Sequence, residues 1–150
     1  MSPNQFAAAA ATYANVAAER VAAEVSTLVT VAPSPRRGCP ILAAVGVTRG
    51  TFSEPETIAI ATAIYAAADP RGPARTADQM SEHARRLLIA AGRWDSADQR
   101  PFISSGLTWG PGSLSKLFFA TAFNAEMVRA TAERLITLAA MQAGIERRAA

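Results

Sequence analysis

Fourteen arginines and a single lysine make up the basic side chains of this 150-residue chain. Eight of the arginines stand in pairs or near pairs: Arg36 with Arg37, Arg71 with Arg75, Arg85 with Arg86, and Arg93 with Arg100. A guanidinium grips phosphate with a planar fork and keeps its charge at any physiological pH. Pairs that converge on one rim form a groove for a nucleic-acid backbone, with affinity but no base readout. The same arginines spread over a solvated, salt-bridged face do neither, and a GC-rich coding sequence would also account for abundant Arg and Ala. Trp94, beside Arg93, has two readings as well: a platform for a base or an anchor at a helix end.

The remaining reactive groups are sparse. His83 is the only histidine and sits in "SEHARRLL", where the neighbouring positions offer only Gln79 and Glu82 as further ligands. A metal site needs a second His or a Cys at that spacing. Cys39 stands alone in "RRGCP"; Arg36 and Arg37 would lower its pKa, but loop exposure explains it as well. The carboxylates Asp95 and Asp98 in "RWDSADQR" read as salt-bridge or capping groups. "GPGSLSK", Gly110 to Lys116, places Gly-rich backbone before a helix start, as phosphate loops do. Ser115 stands where such a loop has Gly, Leu117 replaces the metal-binding hydroxyl, and no strand precedes it. Neither G-x-S-x-G nor HExxH occurs. The expectation is a protein that is no enzyme and has no catalytic residue, metal or cofactor.

The elements that would position these groups are helices. "SPNQ" gives a capping box from Ser2 to Gln5 with Pro3 at the first helical position, and Val16, Val21, Val25 and Leu28 continue a stripe to about residue 30. "APSPRRGCP" reads as a turn-rich connector, and Ile41 to Thr48 as a strand or a helical turn, the helix being preferred because no partner strand is evident. Ser53 with Glu56 and Thr76 with Gln79 form further capping boxes. The helix after the first ends at Asp69-Pro70, and the helix after the second carries Met80, Ala84, Leu87, Leu88 and Ala91 to a stop at Gly92. Ser96 with Gln99 starts one short turn, cut off at Pro101. From Ser113 a last long helix is expected to run to Gly144, with a frayed tail. Its Phe118, Phe119 and Phe123, with Trp109 upstream, cover more than one face. Such a helix is central or meets a partner.

The totals agree with one domain over residues 1–150, all-α, a bundle of four to five main helices with loop-rich connectors. Half of the residues are apolar and 18% charged, which excludes wholesale disorder. Ala dominates the apolar half and buries little area per residue, so close helix approach or a partner surface must compensate. A net charge of +3 and a pI near 9.7 permit an anionic partner without demanding one. A single thiol excludes a disulfide framework and fits a reducing compartment. No signal peptide is evident, and the apolar window Leu117 to Phe123 is too short to span a membrane.

"ILAAVGVTRGTFSEPETIAIATAIYAAADPRGPART" resembles the core of flexible filamentous plant-virus coat proteins: a short helix, a Gly-Val turn, a Ser/Thr-started helix and a small-residue loop. "KLFFATAF", from Lys116, is similar in place and texture to that family's basic-aromatic signature, although Thr121, Ala122 and Asn124 stand where the signature carries an aspartate. The resemblance implies a helical bundle that stacks around single-stranded RNA, with Arg85 or Arg86 and Lys116 at RNA-lining positions.

The sequence therefore leads to a non-enzymatic, self-assembling structural protein of the cytoplasm or of a virion, most concretely a viral or phage-like coat subunit. Its expected contacts with single-stranded nucleic acid are Arg36, Arg37, Arg71, Arg75, Arg85, Arg86 and Lys116. Its expected oligomer interface is Trp109, Phe118, Phe119 and Phe123. Two other classes stay open: a small DNA-binding regulator using the helix from Ala77 to Ala91, and an adaptor that binds a protein through the three phenylalanines.

Overall fold

The computed structural model describes residues 2–101 and 113–149. Among them run α1 (Pro3–Val31), α2 (Pro35–Val45), α3 (Pro55–Ala68), α4 (Ala77–Ala90), α5 (Ser113–Phe119) and α6 (Ala125–Ala149). A 3-10 turn, Arg49–Thr51, precedes α3, and a two-residue antiparallel pair, β1 (Trp94–Asp95) with β2 (Arg100–Pro101), follows α4. The fold is an all-α bundle.

The long helices α1 and α6 pack antiparallel, as the pairs Thr30 with Thr131, Arg20 with Gln142 and Tyr13 with Glu146 require. The capping box on α1 is formed: Ser2 Oγ accepts from Gln5 N, and Gln5 accepts from Ser2 N. On the other side α3 packs on α4, with α2 between that pair and α6. Leu28, Leu42, Ile60, Ile64, Leu88 and Leu135 are fully buried at the centre. The helix buried on most sides is α3, through Ala59, Ile60, Ala61, Ala63, Ile64 and Ala67. From Ile58 to Ala68 Thr62 alone interrupts its run of aliphatic and aromatic residues, so no polar face is left to turn to water.

Several boundaries differ from the sequence expectation. Most of "APSPRRGCP" is helix: α2 begins at Pro35 and carries Pro40 inside it. Gly38 serves packing there, since a Cβ would come within 2.9 Å of Val31 Cγ1 at the end of α1. Ile41 to Val45 complete the same helix, which stops at Gly46 with φ of 106°. The cap of α3 is Glu54 with Thr57, because Ser53 is bonded elsewhere, to Glu24. The segment from Ser96 to Gln99 is the turn of a hairpin, and Gln99 adopts φ of 52°. The expected last long helix is two helices. Asn124 Oδ1 accepts from Glu126 N and Met127 N and starts α6 afresh, an alternative to helix that Asn side chains favour. Gly144 lies within α6 and does not end it. The box of Thr76 with Gln79 and the stop at Gly92, φ of 70°, stand as the sequence indicated.

Candidate nucleic-acid interface

Half of the fourteen arginines are committed to carboxylates. Arg20 pairs with Glu24, Arg71 with Asp69, Arg85 and Arg86 both with Glu82, Arg93 with Glu56, Arg100 with Asp95 and Asp98, and Arg134 with Glu19. The Glu82 carboxyl is held down at about 2, first by the hydrogen bond from Arg85 and then by that from Arg86.

Arg36, Arg37 and Arg75 are different, for the partners they hold carry no charge. Arg36 Nη2 donates to the carbonyls of Gly72 at 2.7 Å and Asp69 at 3.3 Å, which ties the first turn of α2 to the loop after α3. Arg75 Nη1 lies 3.0 Å from His83 Nδ1. That contact needs a neutral imidazole with its proton on Nε2. His83 is indeed pushed below its ordinary value, by burial first and then by the charges of Arg75 and Arg86. The third, Arg37, stacks over the Phe123 ring, 4.4 Å from its centroid.

Arg36 and Arg75 meet across one cleft of about 190 Å³. Pro33, Pro35, Ala67 and Met80 supply apolar walls. Helix α2 brings Arg36, the connector before α4 brings Arg75, and α4 brings His83 one turn beyond Met80. Arg71 borders the same loop through Asp69, whose carboxyl is lowered by the Arg71 backbone and side chain and then by Arg36. The structure thus brings together Arg36, Arg75 and His83, with Arg71 and Arg86 beside them.

Other expected site residues are dispersed. Arg37 turns to Phe123 and away from the backbone carbonyls that hold Arg36. Lys116 is exposed on α5. Phe118 is buried in the core and Phe123 is half-buried against it; only Phe119, 53% accessible, is open. Trp109 lies outside the described residues. Cys39 is buried in α2, not looped out, and burial pushes its thiol up to about 12 despite the arginines before it. Among the described residues no three His, Cys, Asp or Glu side chains gather, and no helix is long and apolar enough to cross a membrane.

Two features were not singled out from the sequence. Glu24 is wholly buried and accepts from Ser53 N, Ser53 Oγ and Thr57 Oγ1. Its place within the stripe of Val21 and Leu28 was the signal. The second is Phe6, 68% accessible in an arm of α1 that is exposed from Pro3 to Thr12. The one large apolar residue in an alanine run marked it.

By class, then, this is an all-α bundle with a cleft whose two arginines are paired with no carboxylate among the described residues, and with an exposed apolar helix arm. No family model, curated protein or solved structure matches the chain.

Proposed function

We propose that the chain is a non-enzymatic structural subunit that associates with copies of itself and contacts a nucleic-acid backbone through arginine, a coat or capsid subunit being the most concrete form. The observation that carries the reading is the arm of α1. From Ser2 to Ala18 the sequence holds no charge, and residues 3–12 are exposed on every side with Phe6 at the centre. An isolated three-turn helix is marginal in water. Its apolar surface is covered when a neighbouring copy packs on it, as heterologous contacts between like subunits do. Phe119 and Met127, 53% and 55% accessible, add open apolar surface on either side of the turn between α5 and α6.

Light scattering across a dilution series, on wild type and on Phe6→Glu with Ala10→Glu, tests this. Wild type is expected to grow with concentration and the double variant to stay monomeric with unchanged helix content. A wild type that remains monomeric at high concentration, in low and in high salt, overturns the reading. So does capture of one unrelated protein by the arm while no self-association occurs, which would leave an adaptor.

A further inference from the structure

The geometry points to the cleft between Arg36 and Arg75 as the seat of one phosphodiester group of a single nucleic-acid strand, with His83 as the neutral group that holds the Arg75 fork in place. This rests on the nucleic-acid part of the proposed function and gives it a location. Three observations carry it.

The first is charge. Among the described residues Arg36 and Arg75 hydrogen-bond only to uncharged partners, two carbonyls and an imidazole, so neither is paired directly with a carboxylate, although Asp69 lies close enough to feel the charge of Arg36. The carboxylates of the surrounding loop and helix are Asp69, Asp78 and Glu82. Asp69 is engaged by Arg71, and Glu82 by Arg85 and Arg86 together. Asp78 lies exposed in the first turn of α4.

The second is preorganisation. Two carbonyls fix Arg36 Nη2, and its Nε and Nη1 hold no partner among the described residues. His83 fixes one Nη of Arg75 in the same way. A fork already oriented loses less entropy on gripping an anion.

The third is room and surroundings. A cleft of about 190 Å³ exceeds several times the roughly 30 Å³ share of one water. Walls of Pro33, Pro35 and Met80 offer apolar surface to the sugar of a strand.

The test uses 5′-fluorescein-labelled (rU)20 and fluorescence anisotropy on wild type, Arg36→Gln, Arg75→Gln and Arg129→Gln, the last an exposed arginine of α6. Each cleft variant is expected to weaken binding about tenfold, and to reduce the slope of log affinity against log salt by up to about 0.7, the single-strand value for one phosphate. Arg129→Gln should change affinity less than twofold. Among the described residues Arg75 hydrogen-bonds only to His83, so Arg75→Gln reports on the cleft even if Arg36→Gln loosens the loop. Because the chain has one histidine, its imidazole resonances need no assignment: saturating (rU)20 should raise the His83 pKa in wild type and leave it unmoved in Arg75→Gln.

Wild type that binds (rU)20 while the cleft variants behave like Arg129→Gln overturns the location and leaves the nucleic-acid reading standing. Wild type that fails to bind (rU)20 in 50 mM salt overturns both. Equal Arg75 dependence for phosphatidylserine vesicles, with no binding of (rU)20, identifies a membrane as the anion's source and also overturns the proposal.

Discussion

At the scale of single residues, buried charge is answered locally. Glu24 has no exposed surface, yet Ser53 N, Ser53 Oγ and Thr57 Oγ1 approach it within 2.6 to 2.7 Å, and Arg20 Nε stands at 3.5 Å. Arg20 in turn donates to Gln142 and to the Thr51 carbonyl. One carboxylate thereby connects α1 to the entry of α3 and, through Arg20, to α6. Glu24→Ala strands these donors and is expected to cost about 3–5 kcal/mol in urea unfolding. His83 makes a second prediction. Its folded pKa lies below the ordinary 6.5, so the unfolded chain binds the proton more readily. Well above pH 6.5 neither state is charged and the residue is neutral for stability. Below it, stability falls as pH drops, until the folded state protonates too. Wild type should show this extra loss of melting temperature under pH 6.5, and His83→Gln should lack it.

At the scale of elements, two glycines that look alike in the sequence answer to different physics. A Cβ at Gly38 would strike Val31 Cγ1 at 2.9 Å, whereas one at Gly92 meets nothing within 4 Å but must adopt φ of 70°. Gly38→Ala is expected to destabilise by about 1–3 kcal/mol through overpacking. Gly92→Ala should cost about 1–2 kcal/mol through backbone strain alone. A double-mutant cycle with Val31→Ala separates them: Gly38 should couple to Val31 and Gly92 should not. Asn124→Ala, which removes the cap of α6, is expected to cost about 1 kcal/mol by the same denaturation measurement. The capping boxes of α1 and α4 were legible because each is a contact between residues three apart. The break between α5 and α6 was not. Ala120, Thr121 and Ala122 carry no Pro or Gly, and the cap at Asn124 together with the stacking of Phe123 on Arg37 decides it.

At the scale of the whole molecule, the proposed function assigns the arm of α1 to self-association and the arginine cleft to nucleic acid, and each assignment predicts a property of the assembly it proposes. Backbone amides from Phe6 to Thr12 should exchange with solvent fast in dilute protein and gain protection as particles form, which hydrogen-exchange mass spectrometry reads directly. Assembly driven by an apolar arm should survive raised salt, whereas nucleic-acid content, read from the 260/280 absorbance ratio of the particle, should fall steeply over the same range. If both fall together, the arm does not drive assembly.

Local physics within the chain determined the helical class, the starts of α1 and α4, the stop at Gly92 and the basic, lysine-poor character, because capping, breaking and net charge depend on neighbours in sequence. Tertiary structure decided that Arg93 and Arg134 are spent, on Glu56 and Glu19, and that Arg36 is tied to the loop after α3. Arg71 is neutralised by Asp69, two residues before it and within reach of a sequence reading, whereas the contact of Arg75 with His83 forms only once α4 has folded. Phe118, Phe119 and Phe123 likewise read as one cluster, and packing sends them to the core, to the surface and to Arg37. Such outcomes depend on residues distant along the chain, Arg36 with Gly72 or Glu24 with Thr57, and no spacing within a single segment encodes them.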